Sequence, residues 1–327
     1  MLTAQFHKIL LACTLVGFCG FASAQPLTNT QALSGTAATD TLILKAAQAS
    51  FAEYFDLLAL PNDAMVPADI QKNTDWLEQA FARRGFKTQQ LPNDGKPLLF
   101  AEYKSPKPDA KTILFYMHLD GQPVLPEQWA QANPWQAVVK KRDAKGQWLE
   151  VDQKALQQLP LDPELRVFAR AAADDKGPIM MLLATFDALK AAGLSPEFNV
   201  KVLLDSEEEK GSPTISRIAH DHAALLRSDG LLILDGPQHQ SNNATMIFGN
   251  RGATEVTLTV YGAKAPLHSG HYGNYVPNPA QRLAALLATM KDDAGRVTID
   301  GYYNTVKLTA AERKVLAAVE DNEALMR

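Results

Sequence analysis

Four short segments of this 327-residue chain gather side chains that bind cations and move protons. They are His118-Leu119-Asp120-Gly121, Ala173-Asp174-Asp175-Lys176-Gly177, Glu207-Glu208-Glu209-Lys210-Gly211-Ser212 and Leu234-Asp235-Gly236. Carboxylate oxygens with an imidazole nitrogen form a donor set suited to zinc. A further carboxylate beside such an ion can act as general base toward water. Asp120 follows His118 by two positions, so in extended backbone both side chains share a face. A carboxylate so placed can set the ring's tautomer and raise its basicity as a ligand.

Each segment alone also has a plainer reading. A histidine closing an apolar strand is an ordinary polar terminus. Asp174-Asp175, just ahead of Gly177-Pro178, can cap a helix. Glu207-Glu208-Glu209 can be a solvated acidic turn. What separates the readings is whether the segments meet. Carboxylates brought to one edge repel each other and lose hydration, and a pair of divalent ions, with one carboxylate bridging them, relieves both penalties.

The elements around these segments say where they meet. Apolar residues at spacings of three and four predict helices over 43–60 and 69–84, the second closed by Gly85. Strands are expected over 98–103, 112–117, 198–204 and 231–234, with helices over 178–193 and around 214–226. Continuous apolar strands separated by amphipathic helices predict an α/β fold with a mostly parallel sheet covered by helices. The four segments follow strands in this reading, and open α/β sheets place their sites at such ends. Near Met246 the texture changes. Residues 254–260 alternate as a half-buried strand does, residues 278–290 read as an amphipathic helix, and a charged helical stretch runs over 309–325. A smaller, inserted α+β domain is expected from 246 to 327, after a catalytic domain over 43–245.

Composition narrows the function classes. Lys and Arg number 32 against 36 Asp and Glu, a formal net charge of −4 without a polybasic face, so nucleic acid is not an expected partner. Residues 1–24 read as a secretory signal, with Lys8, an apolar run from 9 to 21, and Ala22-Ser23-Ala24 before the cleavage point. The apolar run is shorter than the ~20 residues a spanning helix needs, so no membrane partner is expected. A flexible leader over 25–42 follows, and the mature protein is expected in the periplasm or outside the cell. Cys13 and Cys19 both lie in the removed segment, which excludes cysteine catalysis and disulfides from the mature chain.

In this order the four segments resemble the zinc-dependent aminoacylase and carboxypeptidase family, which includes carnosinase-type dipeptidases, glutamate carboxypeptidases and succinyl-diaminopimelate desuccinylases. The similarity runs from about residue 43 to about residue 279. It implies two zinc ions bridged by Asp174, with His118 and Asp235 on one, and Glu209 and a later histidine on the other. It further implies that Asp120 orients the His118 ring, that Glu208 is the general base, and that Glu207 stands outside the motif. A cis peptide between Asp174 and Asp175 belongs to the same pattern. Leu267-His268-Ser269-Gly270-His271-Tyr272-Gly273 resembles the family's dimerisation motif, which implies a homodimer in which His268 reaches the partner's site to hydrogen-bond an oxyanion. His220, His222 and His239 are expected to be surface residues.

The family's last metal-binding histidine has no candidate before Arg327, so the sequence is expected to be a fragment with an incomplete small domain. The resulting expectation is a dinuclear zinc metallopeptidase acting on dipeptides or on a C-terminal residue. An N-acyl amino acid deacylase would use the same machinery on another small substrate. A non-catalytic, truncated binding or dimerisation module is the reading of a different class.

Overall fold

A computed structural model describes residues 37–236, 245–247, 249, 252 and 255–319. The expected signal peptide with Cys13 and Cys19, most of the expected leader, and His239 lie outside the described residues. The chain divides into two compact units, Met1–Ala244 and Thr245–Arg327.

The first unit opens with helices α1 (Ala37–Leu58) and α2 (Pro67–Ala82), followed by strands β1 (Lys87–Leu91), β2 (Leu98–Tyr103) and β3 (Thr112–His118). Pro67 starts α2, where its missing N–H costs nothing, and Gly85 at φ 86° turns the chain out of it. Next come β4 (Val138–Arg142), β5 (Trp148–Val151), β6 (Arg166–Phe168), α3 (Lys176–Ala191) and β7 (Asn199–Asp205). Helices α4 (Ile215–Asp221) and α5 (Ala223–Leu226) then lead to β8 (Gly230–Ile233).

The main sheet has the order β1-β2-β7-β3-β8. β3 runs parallel to both β7 and β8, while β2 and β1 extend the β7 edge in antiparallel fashion. Alternation along the strands sends side chains to two apolar layers. On one face Phe115, Met117, Val202 and Leu204 pack with Phe51, Tyr54 and Leu57 of α1 and with Ile179, Leu182 and Phe186 of α3. On the other, Phe100, Leu114 and Leu203 pack with Ile218, Ile215, Leu225 and Leu226. The α/β class therefore stands, with the parallel part confined to β7, β3 and β8.

Register is what positions the site. His118 lies opposite Asp205, and Tyr116 opposite both Leu203 and Ile233. Beyond the strands, Leu119 N–H donates to the Asp205 carbonyl at 2.8 Å and Leu234 N–H to the Tyr116 carbonyl at 3.0 Å. β3, β7 and β8 thus end at one level, and the loops after them emerge side by side.

Three features escaped the sequence periodicity. β1 carries the polar run Lys87-Thr88-Gln89-Gln90 and buries only Leu91, so it has almost no apolar signal. The stretch between β3 and α3 forms a second, antiparallel sheet of order β5-β4-β6. There Lys140 Nζ sits 4.9 Å from the Phe168 ring centre and the Arg142 guanidinium 4.7 Å from that of Trp148. Long basic stems covering aromatic faces disguise a packed sheet as a charged loop. The helix expected around 214–226 breaks at His222, whose φ of −112° and ψ of 24° leave the helical region.

The described part of the second unit contains α6 (Ser269–Tyr272), α7 (Pro279–Ala288) and α8 (Ala310–Leu316). The Asn278 side chain caps α7 by accepting from Ala280 N–H at 2.8 Å, and Thr309 with Glu312 forms a capping box on α8. α8 ends well before the stretch expected to reach 325, and residues from 320 onward lie outside the described ones. Residues 255–260 are not in a strand, contrary to the alternation read there. Alternation supplies a face, but a strand also needs a neighbour for its N–H and C=O groups, and no described residue pairs with this segment. Among the described residues no helix is long and apolar enough to cross a membrane.

Candidate metal centre

His118 is the last residue of β3 and its side chain is fully buried. Its backbone N–H donates to Asp175 Oδ2 at 3.1 Å. Its ring Nδ1 lies 3.1 Å from the Asp120 backbone carbonyl and 3.4 Å from Asp120 Oδ1. Both neighbours are acceptors, so Nδ1 carries the proton and Nε2 faces the acidic groups. Asp174 Oδ1 stands 2.7 Å and Asp235 Oδ1 3.7 Å from Nε2. One ligand atom each from His118, Glu208 and Asp235 falls within 4.8 Å of the others.

The Asp120 carboxylate, also fully buried, does more than face the ring. Its Oδ1 accepts from Glu208 N–H at 3.1 Å and its Oδ2 from Glu209 N–H at 3.2 Å. It therefore fixes the acidic loop after β7 to the histidine loop after β3. Asn62 holds the histidine loop from the other side, donating through Nδ2 to the Leu119 carbonyl at 2.9 Å and accepting Gly121 N–H at 2.8 Å. A Cβ on Gly121 would meet Asn62 Nδ2 at 2.9 Å, so the approach needs glycine. The peptide between Asp174 and Asp175 is cis. On the sheet side, Asp205 accepts from Tyr116 Oη at 2.9 Å, Ser212 Oγ at 2.8 Å and Glu207 N–H at 3.0 Å.

The electrostatics call for a cation. Asp120, Asp174, Asp175, Glu208 and Asp235 gather around one imidazole, while Lys176 and Lys96 are engaged elsewhere. Lys176, fully buried, donates to the Leu57 carbonyl at 2.8 Å and the Leu60 carbonyl at 2.6 Å, and Lys96 pairs with Glu207. Burial alone would push the His118 pKa down. Its hydrogen bonds to Asp120 and Asp235 and the charges of Asp175 and Asp120 instead raise it to about 12. Asp174 is the nearest carboxylate, but at 62% exposed its charge is screened by water. Burial raises the Asp175 carboxyl well above the usual range against the pull of His118, and its Oδ1 has no hydrogen-bond partner. With the His118 pKa so raised, the ring holds a proton on both nitrogens, Nε2–H donating to Asp174 Oδ1 at 2.7 Å, and a cation bound at Nε2 would take that proton's place. An N/O donor set with a surplus of negative charge fits a dication of the zinc type.

The three neighbouring glutamates differ. Glu207 is buried and turned away, accepting from Asn93 Nδ2 at 2.8 Å, from Thr214 Oγ1 at 3.3 Å and from Lys96. Burial would raise its pKa, but the hydrogen bonds from Lys96 and Asn93 hold it below the ordinary glutamate range. Glu208 moves the other way. Burial raises its pKa, as do the charges of Asp235, Glu209 and Asp120, with His118 opposing. The Glu209 carboxylate accepts a hydrogen bond from Gln122 Nε2.

Of the residues singled out in the sequence, His118, Asp120, Asp174, Glu208 and Asp235 are brought together. Glu209 reaches the group by its backbone N–H while its side chain lies on Gln122. His268 belongs to the second unit, where it is exposed and caps α6: its Nδ1 accepts Gly270 N–H at 3.0 Å, which leaves the proton on Nε2. His220 is exposed, but His222, expected at the surface, is half-buried where α4 gives way to α5. Asn62, Asn93, Lys96, Gln122 and Asp175 were not foreseen. They act through contacts between segments far apart in sequence, and only the acidic doublet at Asp175 carried any local signal.

Residues 114–324 match the protein family described as Peptidase family M20/M25/M40. The chain belongs to that family. This M20 chain is 27% identical over 227 residues to the Cys-Gly metallodipeptidase dug1 of Schizosaccharomyces pombe, covering 68% of its own length and 43% of that protein's. It is 26% identical over 242 residues to the Beta-Ala-His dipeptidase of Mus musculus, covering 71% of itself and 44% of that protein. Its structure resembles that of the M20 family metallo-carboxypeptidase Sso-CP2 from Sulfolobus solfataricus, with a TM-score of 0.59 and 25% identity, over 84% of this chain and 58% of that one. The M20 chain thus spans less than half the length of the curated relatives it matches.

Proposed function

We propose that this chain hydrolyses the amide bond of a dipeptide or of a C-terminal residue, with zinc held by His118, Asp174, Glu209 and Asp235. Ions bound there would lower the pKa of a water and polarise the substrate carbonyl. Glu208 takes the proton from the attacking water. The water oxygen adds to the carbonyl carbon, the C–N bond breaks, and Glu208 returns the proton to the leaving amine nitrogen. A Glu208 carboxyl raised by burial and by neighbouring carboxylates is a stronger proton acceptor than an exposed one, which suits this part. Asp120 holds the Glu208 and Glu209 backbone in place, and Asp175 ties the His118 backbone to the start of α3. In a homodimer, the exposed Nε2–H of His268 would donate to the oxyanion formed in the partner's site. Export, with cleavage after Ala24, puts the activity on small peptides outside the cytoplasm.

The observation that carries this reading is the meeting of His118, Glu208 and Asp235 within 4.8 Å, in a family whose matched relatives are named as dipeptidases. The test is Glu208→Gln in the 327-residue chain loaded with zinc, assayed on dipeptides beside N-acetyl and N-succinyl amino acids. The expected result is dipeptide hydrolysis that falls by at least about 100-fold in the variant, within the usual contribution of a general base, with zinc content nearly unchanged. Undiminished turnover in Glu208→Gln removes the base. Preference for N-acyl substrates moves the substrate class to deacylation, and an unsubstituted chain that binds zinc without turning over either substrate is a binding module.

A further inference from the structure

The loop that carries Glu208 and Glu209 is pinned at two opposed points. On one side the Asp120 carboxylate accepts both backbone N–H groups, at 3.1 and 3.2 Å. On the other, the side chain of Glu207 reaches back toward the turn between β1 and β2. There it pairs with Lys96 and accepts from Asn93 Nδ2 at 2.8 Å. Side chains of α4 and its N-cap complete the enclosure: Thr214 Oγ1 donates to Glu207 at 3.3 Å, and Arg217 donates to Asn93 Oδ1 at 3.1 Å. The Glu207 side chain is 7% exposed and that of Lys96 20%.

The backbone makes Glu207 a pivot as well. Its carbonyl accepts from both Lys210 N–H and Ser212 N–H, each at 3.0 Å, closing the short turn that displays Glu208 and Glu209. Ser206 Oγ donates to the Lys96 carbonyl at 2.7 Å, a second tie between the same turn and the same loop. The β1–β2 turn is itself tightly set, with Asp94 at φ 46° and Gly95 at φ 80° and Lys96 N–H donating to the Asn93 carbonyl at 2.8 Å. A shift of Lys96 would therefore pass directly to Glu207, and from there along one residue of backbone to Glu208.

We propose that Glu207 is a positioning residue: paired with Lys96, it clamps the acidic loop to the β1–β2 turn and so sets where Glu208 and Glu209 stand. The functional meaning of the clamp rests on the reading of Glu208 as the base, while the clamp itself stands on the contacts above. Outer partners that orient the groups around a metal commonly change affinity or activity by about 10- to 100-fold when removed.

The test uses the full chain with Lys96→Met, Glu207→Gln, the double variant and Lys96→Arg, plus Thr214→Val as a milder step should Glu207→Gln fail to fold. Three quantities are read: amide hydrogen exchange residue by residue, zinc affinity by competition with a chelator, and kcat and KM on a dipeptide. Lys96→Met and Glu207→Gln are each expected to speed exchange at Glu208, Glu209, Lys210 and Ser212 by about 10-fold or more while β3 and β7 stay protected. Zinc binding weakens by about 10- to 100-fold, and kcat falls with KM nearly unchanged. The double variant adds little to either single one, and Lys96→Arg restores all three quantities. Loop exchange that does not change, or that rises equally throughout the first unit, overturns the clamp. Faster loop exchange in variants of a chain that neither binds zinc nor hydrolyses peptides leaves the clamp standing and strikes the functional reading instead.

Discussion

Replacing Asp120 by asparagine is expected to harm the site as much as replacing it by alanine, although asparagine has the same shape. Both carboxylate oxygens accept: Oδ1 from Glu208 N–H and Oδ2 from Glu209 N–H. An asparagine has one acceptor oxygen, so in either orientation its NH2 faces a backbone N–H, and two donors meet in a fully buried place. Each hydrogen bond to a charged group contributes about 1.5–3 kcal/mol, and leaving a buried donor unpaired costs about 1–3 kcal/mol. Asp120→Asn and Asp120→Ala are therefore both expected to lose about 2–5 kcal/mol of stability. Each should also lose about 10- to 100-fold in zinc affinity, or about 1.4–2.8 kcal/mol at the usual tenfold per 1.4 kcal/mol. Urea unfolding of the chain without zinc gives the first quantity, and chelator competition the second. The Asp120 backbone carbonyl, 3.1 Å from ring Nδ1, remains an acceptor for the His118 ring in both variants, while the ring loses the carboxylate at 3.4 Å equally in both. An asparagine variant that matches the unsubstituted chain in both measurements, while the alanine variant fails, would refute the two-acceptor argument.

Two other changes follow from packing and charge. Gly177→Ala puts a Cβ 2.4 Å from the Ala172 carbonyl oxygen at the start of α3, where the chain cannot yield without moving Asp174. It should destabilise by more than about 2 kcal/mol in urea unfolding and weaken zinc binding with it, and a neutral effect would show that this entry to α3 is soft. Arg84 joins α2 to α1 and α3, donating to Glu53 at 2.6 Å and to Asp187 at 2.6 Å. Burial would raise the Glu53 pKa, but the hydrogen bond and charge of Arg84 lower it. A carboxyl whose folded pKa is depressed contributes its stability above the unfolded value of about 4.3 and loses it as pH falls through the folded value. The difference in midpoint between the unsubstituted chain and Glu53→Gln should thus be full at neutral pH and shrink in acid, measured by thermal unfolding across pH, and a difference that grows toward acid would contradict the sign.

Much of the site was legible in the sequence, because three of the four segments, those of His118, Glu208 and Asp235, stood at the end of an apolar run, whereas Asp174 follows β6 of the other sheet. Periodicity predicted β3, β7 and β8 within a residue or two, and parallel strands covered by helices carry their loops to one edge. The helix ends at Gly85 and Gly193 were similarly accessible, since glycine acts there through local backbone preference, whereas α1 begins at Ala37, six residues ahead of the expected start. Signals of this kind depend on a residue and its near neighbours.

Other features depended on partners distant in the chain. Nothing local distinguishes Glu207 from Glu208, yet one pairs with Lys96 about a hundred residues earlier and the other joins His118 and Asp235. Their pKa values move in opposite directions for that reason. The resemblance implies that Asp120 orients the ring; its carboxylate stands 3.4 Å and its backbone carbonyl 3.1 Å from Nδ1, and the same carboxylate also holds the next loop. β1 and the β5-β4-β6 sheet were hidden because their polar or basic residues gain their packing only from neighbours across the sheet. Residue types and their periodicity select the strands, helices and kinds of chemistry, since those follow from short-range sterics and hydrophobic pattern. Which carboxylate faces a cation and which faces a lysine is decided by register and by contacts between distant loops, because burial and charge act through space rather than along the chain.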